Sequence, residues 1–222
     1  MIVTTAVHFD LDGTLLQFTR PYGTFVAEVL DTHLGRAPDE LVEAYDEAFF
    51  ERFAAMEPAP VRGAMTAVVE RAHEQDLPVG EPNVDEMVAT LSRAEYAGTR
   101  VSEGVPALLD RLDAAGCRLG VLTNGLPGWQ TGKLDQHGLT ERFDDVCTSY
   151  DAGAHKPDRE LFAAAAERLP ADRHVMIGDD FEPDVQGARD AGWEAVHLDG
   201  ITGARAGSIA ELESTLALLG GE

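Results

Sequence analysis

The sequence predicts an α/β protein: a parallel β-sheet with helices on both faces, and an inserted segment made of helices. Two observations lead to this fold class. From Arg118 onward, short apolar runs alternate with helical patterns, an alternation typical of a parallel sheet. Between the first and second apolar runs lie roughly 80 residues with helical patterns, which is too long for a simple crossover connection. The 222 residues are enough for one core with such an insertion.

Five short apolar runs are the predicted strands. The first lies near the start of the chain, before the helical insertion, and the other four lie in the second half. Runs of this length and composition are expected of strands that helices cover on both faces. The predicted strands are residues 4–9, 118–122, 146–149, 174–177 and 195–198.

Helical patterns separate the later strands, and turn residues mark their ends. Several patterns stop at a glycine, which accepts the left-handed conformation common at helix C-termini. Pro157 lies near the start of one predicted helix, and Ser208 with Glu211 gives a capping-box pattern at the start of another. The predicted helices are residues 102–115, 129–137 and 183–191, followed by Gly116, Gly138 and Gly192, and residues 158–169 and 208–219.

Residues 18–99 contain four helical patterns and no run of strand type. Asn83 with Glu86 gives a capping-box pattern at the start of the fourth. The four predicted helices are residues 22–34, a long helix from Pro38, residues 61–75 and residues 83–97. We therefore expect two domains, a core of residues 1–17 and 100–222 and a helical insertion of residues 18–99.

The charge balance is strongly acidic. Forty Asp and Glu residues stand against 17 Lys and Arg residues, so the formal net charge is −23. Such a surface repels nucleic-acid phosphates and anionic lipids, which makes nucleic acids and membranes poor candidate partners. The acidic residues are distributed along the chain, and only Lys133 and Lys156 are lysines. This pattern indicates a protein of a salt-loving organism, where salt screens the repulsion; an acidic protein of ordinary habitat is the alternative.

Neither a membrane segment nor a secretory signal is predicted. No stretch of about 18 uninterrupted apolar residues occurs, and no basic flank precedes an apolar stretch at the N-terminus. The expected location is therefore the cytoplasm. Cys117 and Cys147 have no Cys or His partner at metal-ligand spacing, so we expect them to be small core residues without a disulfide.

Candidate catalytic residues follow the predicted strands. Ligands of parallel sheets bind at the carboxyl ends of the strands, and Asp10 and Asp12 come directly after the first strand in the run Asp-Leu-Asp-Gly-Thr. Two carboxylates so close together are costly unless a cation lies between them or they share a proton. Mg²⁺ prefers hard oxygen ligands of this kind, and Asp179, after another strand, is placed to add one.

Four motifs in order resemble those of the haloacid dehalogenase superfamily of phosphatases. The first is the run from Asp10 to Thr14, the second is Thr123, the third is Lys156, and the fourth is Gly178-Asp179-Asp180 continuing to Asp184. The resemblance covers the predicted core and implies a Rossmann-like three-layer fold. It also implies that the insertion is the α-helical cap of that superfamily.

The resemblance implies a role for each carboxylate. Asp10 resembles the nucleophile that attacks phosphorus and forms an aspartyl-phosphate. Asp12 resembles the general acid that protonates the leaving oxygen and then activates water, and its backbone carbonyl is implied to bind Mg²⁺. Asp179 completes the implied metal site, for which the cofactor is Mg²⁺.

The remaining implied roles concern phosphate and Lys156. Thr123 and the backbone amide of Asn124 are implied to bind the transferring phosphoryl group, and Lys156 to neutralise its charge. Asp180 or Asp184 is implied to hold metal-bound waters or to orient Lys156. Lys156 also has an argument of its own, because a chain nearly without lysine keeps one where a compact cation is needed.

The expected activity is hydrolysis of a small phosphate monoester, with a phosphorylated metabolite as the partner. Arg20, just after the first motif, is a candidate contact for an anionic substrate. Asp12 favours an oxygen leaving group over the halide of true dehalogenases, which do not need that aspartate. A sugar phosphomutase, a haloacid dehalogenase and a non-catalytic binding protein are the alternatives, and a monomer or small homo-oligomer is expected.

Overall fold

Parallel strands form the central sheet of the computed structural model, which describes residues 3–198. Short β-branched and aliphatic runs form its five strands, as the sequence predicts, whereas two further short strands lie outside this sheet and are not among the predicted ones. The strands are β1 (Thr5–Phe9), β2 (Leu16–Phe18), β3 (Thr99–Val101), β4 (Arg118–Thr123), β5 (Asp145–Thr148), β6 (Arg173–Gly178) and β7 (Glu194–His197).

Helices lie between the strands and in the long insertion. Those of the insertion are α1 (Gly23–Leu34), α2 (Asp39–Ala54), α3 (Pro60–Glu74) and α4 (Val84–Ala97). Those of the second half are α5 (Val105–Ala114), α6 (Pro127–Gln136), α7 (Ser149–Ala152), α8 (Arg159–Arg168) and α9 (Gly187–Asp190).

The central sheet has the strand order β5-β4-β1-β6-β7, and every neighbouring pair is parallel. Phe9, the last residue of β1, lies opposite Val121 of β4 and Ile177 of β6. The chain runs from β1 outward through β4 and β5 and then crosses to β6 and β7 on the other side. The strand order therefore reverses around β1, and at such a point a ligand crevice forms beyond the carboxyl ends.

Apolar side chains fill both faces of this sheet, because alternate residues of each strand point to opposite sides. Val121 and Ile177 belong to the cluster that α5 and α6 cover, whereas Leu122 and Met176 belong to the cluster under α8 and α9. Each fully buried side chain of this size stabilises the fold by about 1.5–3 kcal/mol. The three-layer α/β fold predicted from the sequence is confirmed.

The internal contacts divide the chain into two compact units, Met1–Gln17 with Arg100–Glu222, and Phe18–Thr99. The second unit consists of α1 to α4 around a core of its own. Gly35 ends α1 in the left-handed conformation, and Asn83 caps α4 by accepting hydrogen bonds from two backbone amides. The largest buried side chains of this core are Phe25, Leu30, Leu41, Tyr45, Met65, Met87 and Leu91.

Besides β2 and β3, a predicted helix and a predicted strand differ from the sequence prediction. The predicted helix 183–191 is a π-helical turn, Phe181–Gln186, followed by the single turn α9. Such widened turns are frequent at functional sites, and the carboxylate of Asp184 inside this one accepts bonds from Lys156 and from the amide of Asp180. The predicted strand 146–149 is shifted by one residue, because the strand begins at Asp145 and Ser149 begins α7.

Three further predictions concern the cysteines, membrane-spanning helices and the last predicted helix. Cys117 and Cys147 are free thiols, half-buried and buried respectively. Among residues 3–198, no helix combines the length and the apolar content needed to cross a bilayer. The predicted helix 208–219 lies outside the described residues.

Candidate active site

The carboxyl edge of the sheet brings the predicted motif residues together. Asp10 follows β1 at the centre of the sheet, Thr123 ends β4 on one side, and Asp179 follows β6 on the other. A cavity of about 180 Å³ opens at this edge. Its lining residues are Asp10, Asp12, Thr123, Asn124, Lys156, Asp179, Asp180, Pro183 and Asp184.

Lys156 bridges two buried carboxylates. Its Nζ atom donates to Oδ1 of Asp10 and to Oδ1 of Asp184, each at 2.6 Å, and to the backbone carbonyl of Leu122 at 3.1 Å. Burial lowers the pKa of Lys156, but the two carboxylates outweigh it and raise the pKa above its usual value. The ammonium is therefore held in its charged form beside Asp10.

Lys156 does not fully compensate the negative charge of the buried Asp10 carboxylate. Burial raises the pKa of Asp10 to about 7, and Lys156 only partly opposes that rise. Oxygen atoms of Asp10, Asp179 and Asp184 all lie within 4.8 Å of one another, and one ammonium binds two of these three carboxylates. Burial also raises the pKa of Asp179. A hard divalent cation among these oxygens would compensate their charge, and the donor set fits one.

Two glycines let the carboxylates approach. Gly13 has φ +98°, a conformation that other residues adopt only with strain, and a Cβ atom there would overlap the carboxylate of Asp179. A Cβ atom on Gly178 would overlap the carboxylate of Asp184. Thr14 then fixes Asp179, because its hydroxyl donates to Oδ1 at 2.8 Å. The glycines and threonine of the motifs thus shape the carboxylate cluster.

Asp12 faces the same cavity but has different partners. Lys133 Nζ donates to both of its carboxylate oxygens, at 2.9 and 2.7 Å, and Gln130 Nε2 donates to Oδ2 at 3.1 Å. Neither Lys133 nor Gln130 is among the site residues predicted from the sequence. The scarcity of lysine was the signal, since it applied to Lys133 as much as to Lys156.

Thr123 and Asn124 connect the β4 end to its neighbours. Thr123 is buried, and its Oγ1 accepts a hydrogen bond of 3.0 Å from Gln130. The side-chain amide of Asn124 binds the backbone of Lys156 at both ends, accepting from its N–H at 2.7 Å and donating to its carbonyl at 3.1 Å. This pair of bonds fixes the loop that carries Lys156 against the end of β4.

Asp180 and Arg20 have other surroundings. Asp180 is exposed at the cavity wall and donates its backbone N–H to Asp184, so Asp184 is the one of the two aspartates whose carboxylate binds Lys156.

Arg20 belongs to the helical unit, where its guanidinium pairs with Glu28 and lies 4.2 Å from the ring centre of Phe25. Its contact with a substrate stays a prediction, as do the catalytic roles of the motif residues.

The curated proteins similar to this chain include two phosphatases. A ribulose-1,5-bisphosphate 5-phosphatase of Halopiger xanaduensis is 30% identical over 210 residues, which cover 89% of this chain and 85% of that one. A glyceraldehyde 3-phosphate phosphatase of Methanothermobacter thermautotrophicus is 35% identical over 109 residues, and the match spans 48% of each chain. For that second relative, the similarity therefore covers about half of its length.

The fold has counterparts among solved structures. A haloacid dehalogenase-type hydrolase of Bacillus subtilis, YfnB, solved with magnesium bound, superposes with a TM-score of 0.70. The superposition covers 97% of this chain and 99% of that one at 21% identity. The family model described as haloacid dehalogenase-like hydrolase matches residues 4–192. This chain therefore belongs to the haloacid dehalogenase-like hydrolase family, which confirms the resemblance seen in its motifs.

Proposed function

We propose that this protein hydrolyses small phosphate monoesters with the help of Mg²⁺, through a phosphoryl group carried on Asp10. The observation that carries this proposal is the Lys156 bridge. A buried carboxylate at the centre of the sheet edge is paired with one ammonium and lies beside two further carboxylates. The names of the two relatives, both phosphatases, support the same reaction.

In the first step, a carboxylate oxygen of Asp10 attacks phosphorus, so an oxygen–phosphorus bond forms and the ester oxygen leaves. Lys156 neutralises charge on the attacking carboxylate and on the phosphoryl oxygens. Thr123, whose hydroxyl oxygen already accepts a bond from Gln130, keeps its own proton to donate to the phosphoryl group. The backbone amide of Asn124 adds a second donor.

Asp12 provides the proton transfers. It protonates the departing ester oxygen in the first step, and in the second step it takes a proton from the water that attacks the aspartyl-phosphate. Phosphate then leaves and Asp10 is regenerated. Asp12 lines the same cavity as Asp10, so one carboxylate serves both steps.

Asp10, Asp179 and Asp184, with the backbone carbonyl of Asp12, would hold Mg²⁺. When bound, Mg²⁺ would supply a positive charge beside the phosphoryl oxygens. That charge would stabilise the negative charge that develops as the leaving group departs. The short supply of positive charge at Asp10 supports this cofactor. Asp180, exposed at the cavity wall, would hold waters of the ion.

Phosphate release tests the proposed function. We would assay ribulose 1,5-bisphosphate, glyceraldehyde 3-phosphate, phosphoglycolate, sugar phosphates, nucleoside monophosphates and p-nitrophenyl phosphate, each with Mg²⁺ or with EDTA. We expect Mg²⁺-dependent release from at least one ester, falling by about 100-fold or more in EDTA, because four oxygen groups would then lack their cation. Asp179→Asn should raise the Mg²⁺ concentration needed for half-maximal rate.

The same assay separates the alternatives. Folded protein that releases no phosphate from any ester would contradict the proposal. Isomerisation of a sugar phosphate with little free phosphate would indicate a phosphomutase, and halide release from a haloacid would indicate a dehalogenase. For each substrate, the product is therefore both identified and quantified.

We assign substrate selection to the helical unit of residues 18–99, as a cap that excludes water from the reaction. The unit is compact on its own, and α1 to α4 build its core. Arg20 is its candidate contact for an anionic substrate. Arg20 pairs with Glu28 through two of its five N–H groups, so Glu28 competes with a substrate for this guanidinium.

The net charge of −23 supports a protein adapted to a salt-rich cytoplasm. Self-repulsion destabilises the compact state, and salt screens it, so we expect the melting temperature to rise steadily from about 0.05 M to about 2 M KCl. Thermal unfolding followed by circular dichroism measures this. A melting temperature that does not change over this range would contradict the salt adaptation.

A further inference from the structure

We propose that α6 carries a positioning pair, Lys133 and Gln130, that holds the Asp12 carboxylate in place for proton transfer to the leaving oxygen. The inference rests on the proposed function. It adds two residues to the site that lie in none of the four motifs. Both residues act through Asp12 and Thr123, because neither of them lines the cavity.

The first support is burial. Lys133 and Gln130 stand three residues apart and therefore share one face of α6, where they are 3% and 2% exposed. A buried ammonium is costly unless it is paired. Lys133 is paired with Asp12, and the contact joins residues 121 positions apart in the chain. The inward face of α6 therefore carries a polar pair as well as the apolar Leu134.

The second support is the geometry at Asp12. Lys133 binds both carboxylate oxygens, and Gln130 binds one of them, so three hydrogen bonds fix the rotation of a side chain that is 28% exposed. Proton transfer requires an oxygen of Asp12 within hydrogen-bond reach of the ester oxygen. A displacement of about 1 Å at such a group costs about 100-fold in rate.

The third support is the bridge that Gln130 makes. The same Nε2 atom donates to Oδ2 of Asp12 at 3.1 Å and to Oγ1 of Thr123 at 3.0 Å. One side chain therefore sets the distance between the group proposed to protonate the leaving oxygen and a group proposed to bind the phosphoryl oxygens. The leaving oxygen and the phosphoryl oxygens are bonded to the same phosphorus atom. The protein groups that bind them must therefore keep a fixed spacing.

The choice of lysine fits this task. The chain has 17 basic residues and only two lysines, and one of these binds Asp10 while the other binds Asp12. A compact ammonium reaches both oxygens of one carboxylate inside a packed helix face, whereas a guanidinium is larger and needs its planar fork satisfied. The two lysines thus serve the two motif-one aspartates.

The test compares two esters in Lys133→Met. The kcat/KM value reports steps up to departure of the leaving group, and an alkyl phosphate needs its leaving oxygen protonated whereas p-nitrophenyl phosphate does not. We expect kcat/KM to fall by about 100-fold or more for the alkyl ester and by less than about 5-fold for the aryl ester. Gln136→Leu, at the exposed end of α6, is the matched control and should change neither value.

Gln130→Leu covers the case in which Lys133→Met does not fold. In this variant too, kcat/KM should fall more for the alkyl ester than for the aryl ester. The fall for the alkyl ester should be smaller than in Lys133→Met, about 10-fold. Equal losses on both esters in every folded variant would overturn the inference, since a purely structural role does not depend on the leaving group. The alkyl ester is the one in the assay panel that the wild-type protein hydrolyses best. Folded wild-type protein that releases no phosphate from any ester of that panel would overturn the proposed function and, with it, this inference.

A double-mutant cycle asks whether Lys133 acts through Asp12. In an Asp12→Asn background, Lys133→Met should lower kcat/KM for the alkyl ester by less than about 3-fold, because the carboxylate to be positioned is already gone. A loss in this background as large as in the wild type would overturn the inference. Melting temperatures give a readout without activity: Asp12→Asn should lower the value, and Lys133→Met added to it should restore part of the loss.

Discussion

Asp10→Asn is expected to abolish phosphate release, with a fall in kcat of about 10⁴-fold or more. A carboxamide oxygen is a poor nucleophile, and the aspartyl-phosphate cannot form without the carboxylate. The fold should tolerate the change. Burial already raises the pKa of Asp10 to about 7, and Lys156 keeps its bond to Asp184, so an uncharged amide removes a buried charge without isolating the lysine. We expect a melting temperature within a few degrees of the wild-type value.

Trapping the intermediate makes this test specific. Wild-type protein quenched in acid during turnover should carry one phosphoryl group on the peptide that contains Asp10, detected by mass spectrometry, and Asp10→Asn should carry none. Asp113→Asn, an exposed aspartate of α5, is the control and should keep full activity. If Asp10→Asn kept more than about 1% of the wild-type kcat, Asp10 would not be the nucleophile.

Much of the fold could be predicted from local patterns. The strand 118–122 is an apolar run between a left-handed Gly116 and a loop, and the structure places β4 there with Thr123 added. Strands buried on both faces produce such runs, and the motif residues follow them because sites lie at strand ends. The positions of Asp10, Thr123 and Asp179 along one edge follow from the strand order, which places β1 between β4 and β6.

The partners of these residues could not be predicted in the same way. Gln130 and Lys133 are polar residues on a short helix, and helical periodicity assigns such residues to solvent. Both side chains are buried against Asp12, which lies more than a hundred residues away in the sequence. A local sequence pattern does not reveal a contact over this separation. Asp180 and Asp184 were equally good candidates for the contact with Lys156. The π-helical turn decides between them, because it turns Asp184 inward and leaves Asp180 exposed.

Lys156→Met is expected to lower activity by about 10³-fold or more and to destabilise the fold at the same time. The loss of activity follows from removing the cation beside the attacking carboxylate and the phosphoryl oxygens. The loss of stability, about 3–5 kcal/mol near neutral pH, follows because Asp10 and Asp184 remain buried without the ammonium between them. Urea denaturation with and without Mg²⁺ measures the second effect, and Mg²⁺ should restore part of the stability.

The pH dependence of this loss has a definite sign. The pKa of Asp10 is about 7 with Lys156 present, against 3.8 for an ordinary aspartate, and removing the ammonium raises it further. A carboxyl whose pKa is raised in the folded state binds its proton more tightly there than in the unfolded chain, so folding is penalised as pH increases. The destabilisation of Lys156→Met should therefore be smaller near pH 4 than at neutral pH and grow as pH rises through 7. A constant difference from wild type over this range would contradict the assignment.

A double variant separates the two roles of Lys156. Lys156→Met with Asp184→Asn removes the ammonium and one of its two carboxylates, so the remaining charge of Asp10 no longer faces a second buried charge. Stability should recover by about half of the loss or more, whereas activity should not recover, because no cation faces the phosphoryl group. Recovery of both would mean that Lys156 serves only to hold the carboxylates together. Because Asp184 is also a proposed Mg²⁺ ligand, Asp184→Asn alone is the control for its share of the activity. Recovery of stability with less activity than in Asp184→Asn alone would show that the ammonium that lets Asp10 be buried also takes part in the reaction.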